Sequence, residues 1–289
     1  MERELWKILS QHITALDRQQ PRGQRMHSVG RIVRVFLWAA LHDRPVYWAC
    51  DRRNWPGVRP PVRLPDQSTM SRRLREHDSQ SMLAQLAERL EPLGLTAWLR
   101  YLDGKPLTVS RHSADRQAAF GRGAGGMDRG YKLHAVYAEN NRPIAWSVTP
   151  LNVSEPRVAR SLISRDTGEG YLLADASYDA NHLYDRAGMA GIQLLTPRRY
   201  SQAKGVGHRR HSDSRLATIA RQQAPCPFVR DLLSERRRVE TRFAHLCSFG
   251  GGLTHLPPWV RGLPRVKLWV HAKILIRLAR DQYLRSDVA

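Results

Sequence analysis

The sequence predicts a mixed α/β fold, a mixed sheet flanked by helices, preceded by an all-helical N-terminal region. Three observations predict it. Apolar residues in residues 1–95 recur at helical spacing. Past Gly94 the pattern shifts to short apolar runs and to alternation. The order from there on is strand, hairpin, helix, strand, helix, strand, helix, which is a layered α/β arrangement. Two domains follow: a helical region at 1–95 and an α/β region at 96–289.

The elements can be justified in order. Ile32, Val35, Phe36, Ala39 and Ala40 share a helical face. The stretch from Trp55 to Pro65 holds too much proline for a helix and reads as a loop. Asp66 can then cap a short helix in which Met70 and Leu74 lie four apart. Leu83, Leu86 and Leu90 continue as a helix over Ser81–Leu95. Thr96–Asp103 is strand-like and expected to stop at the turn pair Asp103-Gly104. Arg111–Gly130, rich in glycine, reads as an irregular loop. Tyr131–Ala138 alternates, Glu139–Pro143 turns, and Ile144–Thr149 returns as a hairpin partner. Glu155–Ser164 is helical, Gly170–Asp175 a strand, Asp179–Met189 a helix and Ile192–Thr196 a strand. Arg198–Gly207 reads as a basic loop, Asp231–Cys247 as one helix broken at Gly250-Gly-Gly, and Val266–Leu284 as a final amphipathic helix.

Charge narrows the function. Of 289 residues, 47 are Lys or Arg and 26 Asp or Glu, a formal charge of +21, and 41 of the 47 are arginine. Arginine is shaped for bidentate phosphate contact, so the expected partner is nucleic acid; an arginine-rich genome composition is the bland alternative. The longest uninterrupted apolar run, Val35–Leu41, is far short of the ~20 residues that span a bilayer. No secretory signal is visible at Met1–Trp6, and Cys50, Cys226 and Cys247 fit neither a disulfide framework nor a zinc ribbon. A cytoplasmic protein with no membrane partner is expected.

Asp103 and Asp175 each end a predicted strand, and ligands gather at the carboxyl ends of strands in open α/β sheets. For either one alone, a turn or strand cap is the structural alternative. In the predicted helix 231–247, Glu240 falls on the apolar face with Leu233, Phe243, Ala244 and Cys247, whereas Glu235 falls on a charged face with Asp231, Arg238 and Arg242. A carboxylate on a packing face needs a cation. Arg236, four residues earlier, would supply one as an ion pair; the alternative is that Glu240 joins the two aspartates. Three converging carboxylates repel one another, and Mg²⁺ or Mn²⁺ relieves the repulsion. Two such ions suit phosphodiester exchange, and the basic surface would hold the polyanion.

Four segments resemble the DDE transposases of bacterial insertion sequences, in the broad IS4/IS5-type group. They are Tyr101-Leu-Asp-Gly-Lys105, Gly130-Tyr-Lys-Leu-His134, Tyr171-Leu-Leu-Ala-Asp-Ala-Ser-Tyr-Asp179 and Arg237-Arg-Val-Glu-Thr-Arg-Phe243, in the family's order. The resemblance implies an RNase H-like fold and a catalytic, metal-binding triad of Asp103, Asp175 and Glu240. It implies cutting at terminal inverted repeats and transfer of the 3′-hydroxyl to target DNA. The alternatives are a metal-dependent nuclease without strand transfer and an inactive DNA-binding relic. Where the IS4 pattern has Tyr, Arg and Lys around the glutamate, this chain has Leu233, Arg236 and Cys247, which favours the IS5-like side.

DNA contacts are expected from Arg72, Arg73 and Arg75 on the short helix after Asp66, which could act as a major-groove recognition helix. Lys132 and His134, and Arg198, Arg199 and Arg236, are the further candidates, with Arg111, His112, Arg116 and Arg122 in the glycine-rich segment. Solvated basic surface is the alternative for the arginines, and a satisfied interior histidine for His134. Joining two ends implies at least a homodimer in the active complex.

Overall fold

The computed structural model describes the chain except residues 22–24, 92–96, 124, 166–167, 201–209, 237–238 and 287–289, and except the side chains of 239–242. It forms two compact units. One comprises Met1–Gly94 with Leu246–Val260 and Leu268–Ala289; the other comprises Leu95–His245 with Arg261–Lys267. The boundary near residue 95 is where the sequence pattern changes. The C-terminal segment, however, returns to the helical unit.

That unit holds α1 (Glu2–Gln19), α2 (Val29–Leu41), α3 (Val46–Ala49), α4 (Gln67–Arg73) and α5 (His77–Leu90). Helix α1 buries Leu5, Trp6, Leu9, Ile13 and Leu16, a stripe at helical spacing, while α2 is buried nearly all round. Ser28 caps α2 by accepting from Arg31 N, and Asp66 caps α4 by accepting from Thr69 N at 2.7 Å. Trp38 and Trp55 stack with ring centroids 4.8 Å apart.

The second unit is built on one sheet. Its strands are β1 (Leu99–Val109), β2 (Ala119–Gly123), β3 (Gly126–Ala138), β4 (Pro143–Pro150), β5 (Gly170–Ala174) and β6 (Ile192–Leu195), in the order β2-β3-β1-β5-β6 with β4 also on β3. Strand β3 pairs antiparallel with β1 along one edge. Its other edge is shared: β2 takes residues 126–130 and β4 takes 131–137. Strands β5 and β6 run parallel to β1. Helices α6 (Glu155–Ile163) and α7 (Asn181–Met189) cover one face through Val158, Leu162, Leu183 and Ala187, packed with Leu102, Val136, Leu172 and Leu194. Helices α8 (Asp213–Gln223), α9 (Pro227–Glu235) and α10 (Val239–Cys247) follow, and α11 (Leu263–Ser286) closes the chain. The result is the mixed α/β fold that the sequence leads one to expect, with an N-terminal helical region, and it agrees with the RNase H-like fold that the resemblance implies.

Three expectations are corrected. Strand β1 does not stop at Asp103-Gly104 but runs on to Val109, because β3 pairs with it through Arg129. The glycine-rich segment is not an irregular loop throughout: β2 and the start of β3 form a hairpin there. A Cβ on Gly121 would come within 2.6 Å of the Leu151 carbonyl oxygen, so this glycine lets the chain just past β4 approach β2 closely. Finally, the helix expected to begin at Asp231 begins earlier, at Pro227; α9 has Arg236 as its C-cap and α10 runs Val239–Cys247, with residues 237–238 between them outside the described residues.

Candidate active site

Asp103 lies where β1 loses its parallel neighbour. The last β1–β5 pair is Leu102 with Ala174, so Asp103 and Asp175 are the next residues on two adjacent parallel strands. Side chains alternate between faces along a strand, and directly opposed residues share a face. Leu102, Val136, Leu172 and Ala174 belong to the core under α6 and α7. Tyr101, Asp103 and Leu173 therefore stand on the opposite face. Asp175 keeps the alternation, since its backbone is extended at φ −79°, ψ 178°. The two aspartates thus share one face at adjoining positions.

Helix α10 packs on that same face. Tyr137, opposite Tyr101 in the sheet, meets the Phe243 ring edge-on with centroids 5.0 Å apart. The Tyr101 hydroxyl donates to Glu235 Oε2 at 3.3 Å, which places the end of α9 there too. Glu240 stands three residues before Phe243 in α10; its side chain lies outside the description. Among the described residues, no group of three His, Cys, Asp or Glu is arranged to hold a metal.

Asp103 is half-buried and accepts from Gly104 N at 2.7 Å. Asp175 is exposed and caps the 3₁₀ turn Ala176–Tyr178, its Oδ1 accepting from Ser177 N at 2.8 Å. The Ser177 hydroxyl also lies 2.6 Å from that oxygen. Around this rim the structure adds a residue that sequence reasoning missed. Glu155, the first residue of α6, accepts from Lys132 Nζ at 2.6 Å and lies 2.7 Å from Ser177 Oγ. Burial pushes the Glu155 carboxyl up, but hydrogen bonds from Lys132 and Ser177 outweigh it and leave it below its usual range. An acidic residue in the first turn of a helix is ordinary, so no local signal separated Glu155 from a helix start. Only the fold brings it beside Asp175.

The DNA-binding candidates divide by exposure. Arg72 and Arg75 are exposed on α4, and Arg75 Nε bonds Ser71 O at 2.8 Å on its own helix. Arg199 is exposed, its backbone N–H donating to Asp179, and Arg198 and Arg236 are half-buried. Most of the expected basic loop, residues 201–209, lies outside the described residues. Three candidates are buried instead of facing solvent. Arg73 is 5% exposed, with Nε 3.3 Å from Glu76. Lys132 is turned inward onto Glu155. His134 is 1% exposed, its Nε2 3.0 Å from Thr149 Oγ1, and burial lowers its pKa to about 4, so at neutral pH it carries no charge for a phosphate. Arg111, His112, Arg116 and Arg122 are all exposed around the β2–β3 hairpin.

The helical unit adds a basic groove of 820 Å³ that the sequence did not announce. Arg3, Lys7 and Arg18 of α1, Arg34 of α2 and Arg59 of the proline-rich loop line it, and no carboxylate does. Arg34 donates to Thr14 Oγ1 at 2.6 Å. Among the described residues no helix is long and apolar enough to cross a membrane.

No curated protein matches the chain. The family model described as "Transposase DDE domain" matches residues 95–278, more than half of the chain, and includes Asp103, Asp175 and Glu240. The match begins where β1 is about to form and ends inside α11, so it takes in the whole sheet and the helices that cover it. The chain belongs to the DDE transposase family, and its function is of the transposase type.

Proposed function

We propose that this protein is a metal-dependent transposase that cuts DNA at the ends of an insertion sequence and transfers the 3′-hydroxyl ends into target DNA. The observation that carries the reading is the shared face: Asp103 and Asp175 adjoin on it, and α10, which bears Glu240, packs on it through Phe243. Asp103, Asp175 and Glu240 are the proposed catalytic triad.

The donor set fits hard divalent ions. It is all oxygen, and the rim carries Asp103, Asp175 and Glu155, with Lys132 paired to Glu155. Asp103 and Asp175, with Glu240, would hold Mg²⁺ or Mn²⁺, as two ions. Bound there, such ions would activate a water or a 3′-hydroxyl and stabilise the leaving oxygen. The chain's own residues hold and orient: Asp175 is fixed by the turn it caps, and Asp103 by its strand.

DNA would be gripped through phosphates by Arg72 and Arg75, by Arg198 and Arg199, by the exposed cations of the β2–β3 hairpin and by the basic groove of the helical unit. A homodimer would bring two ends together. The test supplies pre-nicked end DNA, a target plasmid and Mg²⁺. Joined end–target products are expected; hydrolysis products alone would reduce the reading to a nuclease, and no metal-dependent product at all would leave a DNA binder.

A further inference from the structure

We propose that Glu155, held by Lys132, is a positioning residue that acts through the Ser177 hydroxyl to fix the Asp175 carboxylate for a divalent cation. The inference rests on the active site proposed above and adds a second layer behind it.

The contacts form one chain. Lys132 Nζ lies 2.6 Å from Glu155 Oε1, Glu155 Oε2 lies 2.7 Å from Ser177 Oγ, and Ser177 Oγ lies 2.6 Å from Asp175 Oδ1. Lys132 faces the α6 side of the sheet, since its neighbours in that register, His134 and Val136, alternate with Leu133 and Ala135. Asp175 belongs to the opposite face. The chain therefore reaches Asp175 from behind, around the end of β5, and leaves the face shared with Asp103 to a ligand. Gly104 makes room for it: a Cβ there would come within 3.1 Å of Lys132 Cδ and 3.2 Å of Glu155 Oε1.

The proton count points to a cation. A serine hydroxyl has one proton, yet Ser177 Oγ stands within hydrogen-bond distance of two carboxylates. One of those contacts therefore brings two oxygens together with no proton between them. A cation on the Asp175 carboxylate relieves that repulsion, and the hydroxyl proton is then free to rest on Glu155.

A second observation concerns the core beside the chain of contacts. Tyr178 is 0% exposed, and its hydroxyl has no hydrogen-bond partner among the described residues. It lies in the core under α6 and α7, within the field of the Glu155, Asp103 and Asp175 charges. Buried polar groups are otherwise paired, so this orphan hydroxyl, on the same side of the sheet as Lys132 and Glu155, leaves a polar position open behind the carboxylates. Groups that orient a metal's carboxylate ligands from behind are worth ~10–100-fold in metal affinity.

The experiment measures Mn²⁺ binding to the full chain without DNA, following free Mn²⁺ by electron paramagnetic resonance. Ser177→Ala and Glu155→Gln are each expected to weaken binding ~10–100-fold. Ser177→Thr, which keeps the hydroxyl, is expected to restore affinity close to that of the parent, a rescue that a purely structural role would not produce. Circular dichroism identifies any variant that fails to fold; if Ser177→Ala does, Glu155→Gln and Ser177→Thr carry the test. Parental Mn²⁺ affinity in Glu155→Gln, with binding lost in Asp175→Ala, would overturn the positioning role and leave the active site standing. Parental affinity in Asp175→Ala would overturn the site itself, and this inference with it.

Discussion

Each unit of this protein buries a lysine, and the two lysines do different work. In the helical unit Lys273 is 0% exposed and spends all three ammonium donors: on Ala40 O at 2.7 Å, Asp43 Oδ1 at 2.7 Å and Gly251 O at 2.9 Å. It thereby ties the end of α2 and the glycine-rich turn to α11. Asp43 and Gly251 both have left-handed backbones, at φ 52° and 87°, so the chain bends sharply at the places the ammonium holds. Burial pushes the Lys273 pKa down, and the hydrogen bond and charge of Asp43 oppose that. In the sheet unit Lys132 is 8% exposed and meets one carboxylate, Glu155, which leads on to Ser177 and Asp175. Burying a charge is therefore no mark of function by itself. The partners differ: carbonyls at chain bends make a structural lock, and a carboxylate joined to an acidic rim belongs to the site proposed above.

The largest expected effect separates these roles. Asp103→Asn and Asp175→Asn should abolish Mg²⁺-dependent DNA cleavage and leave the thermal midpoint nearly unchanged, read in a plasmid cleavage assay and a melting curve. Undiminished cleavage in Asp103→Asn would remove it from the chemistry. Lys273→Met should behave in the opposite way. It leaves two carbonyls without their donor, and a loss of about 2–4 kcal/mol in urea unfolding is expected, toward the lower end because Asp43 is half exposed. Cleavage by the folded fraction should persist.

The next effect concerns pH. His134 is buried, and its folded pKa of about 4 lies below the 6.5 of an unfolded histidine. Between these values the unfolded chain binds the extra proton, so stability is full above pH 6.5 and falls as the pH drops toward 4. A loss of about 2–3 kcal/mol across that window is expected from this residue. Urea midpoints at several pH values should show it, and His134→Gln should flatten the slope. A slope equally steep in the variant would assign the acid sensitivity elsewhere.

The smallest effects belong to the exposed arginines. Arg72→Ala and Arg75→Ala should weaken DNA binding uniformly across sequences and each lower the slope of log affinity against log salt by about 1. Fluorescence anisotropy at several salt concentrations measures this. Arg73→Ala, at a buried position, should leave the salt slope unchanged and lower stability instead.

Much of the sheet unit was legible. The hairpin of β3 and β4 follows from plain alternation across Glu139–Pro143, and α6, β5, α7 and β6 fall close to their expected places. The misreadings share a physical cause. Asp103-Gly104 looks like a turn because both residues favour turns, but antiparallel pairing with β3 carries β1 straight through it. Gly121 and Gly130 suggested flexibility, whereas both let neighbouring backbone pass where a Cβ would collide. Helix α8 was not foreseen at all.

Charge, the spacing of the acidic residues and the order of the elements are one-dimensional properties. They were enough to reach a basic α/β protein with Asp103, Asp175 and Glu240 as its candidate chemistry. Which lysine is structural, which arginines face solvent, and that Glu155 stands behind Asp175 depend on residues distant in the chain. Lys132 and Glu155 are brought together by a β-strand register and a helix start, Lys273 and Ala40 by packing across 233 positions. A side chain's partners follow from such pairings, and no local pattern encodes them because each half is stable in many other settings.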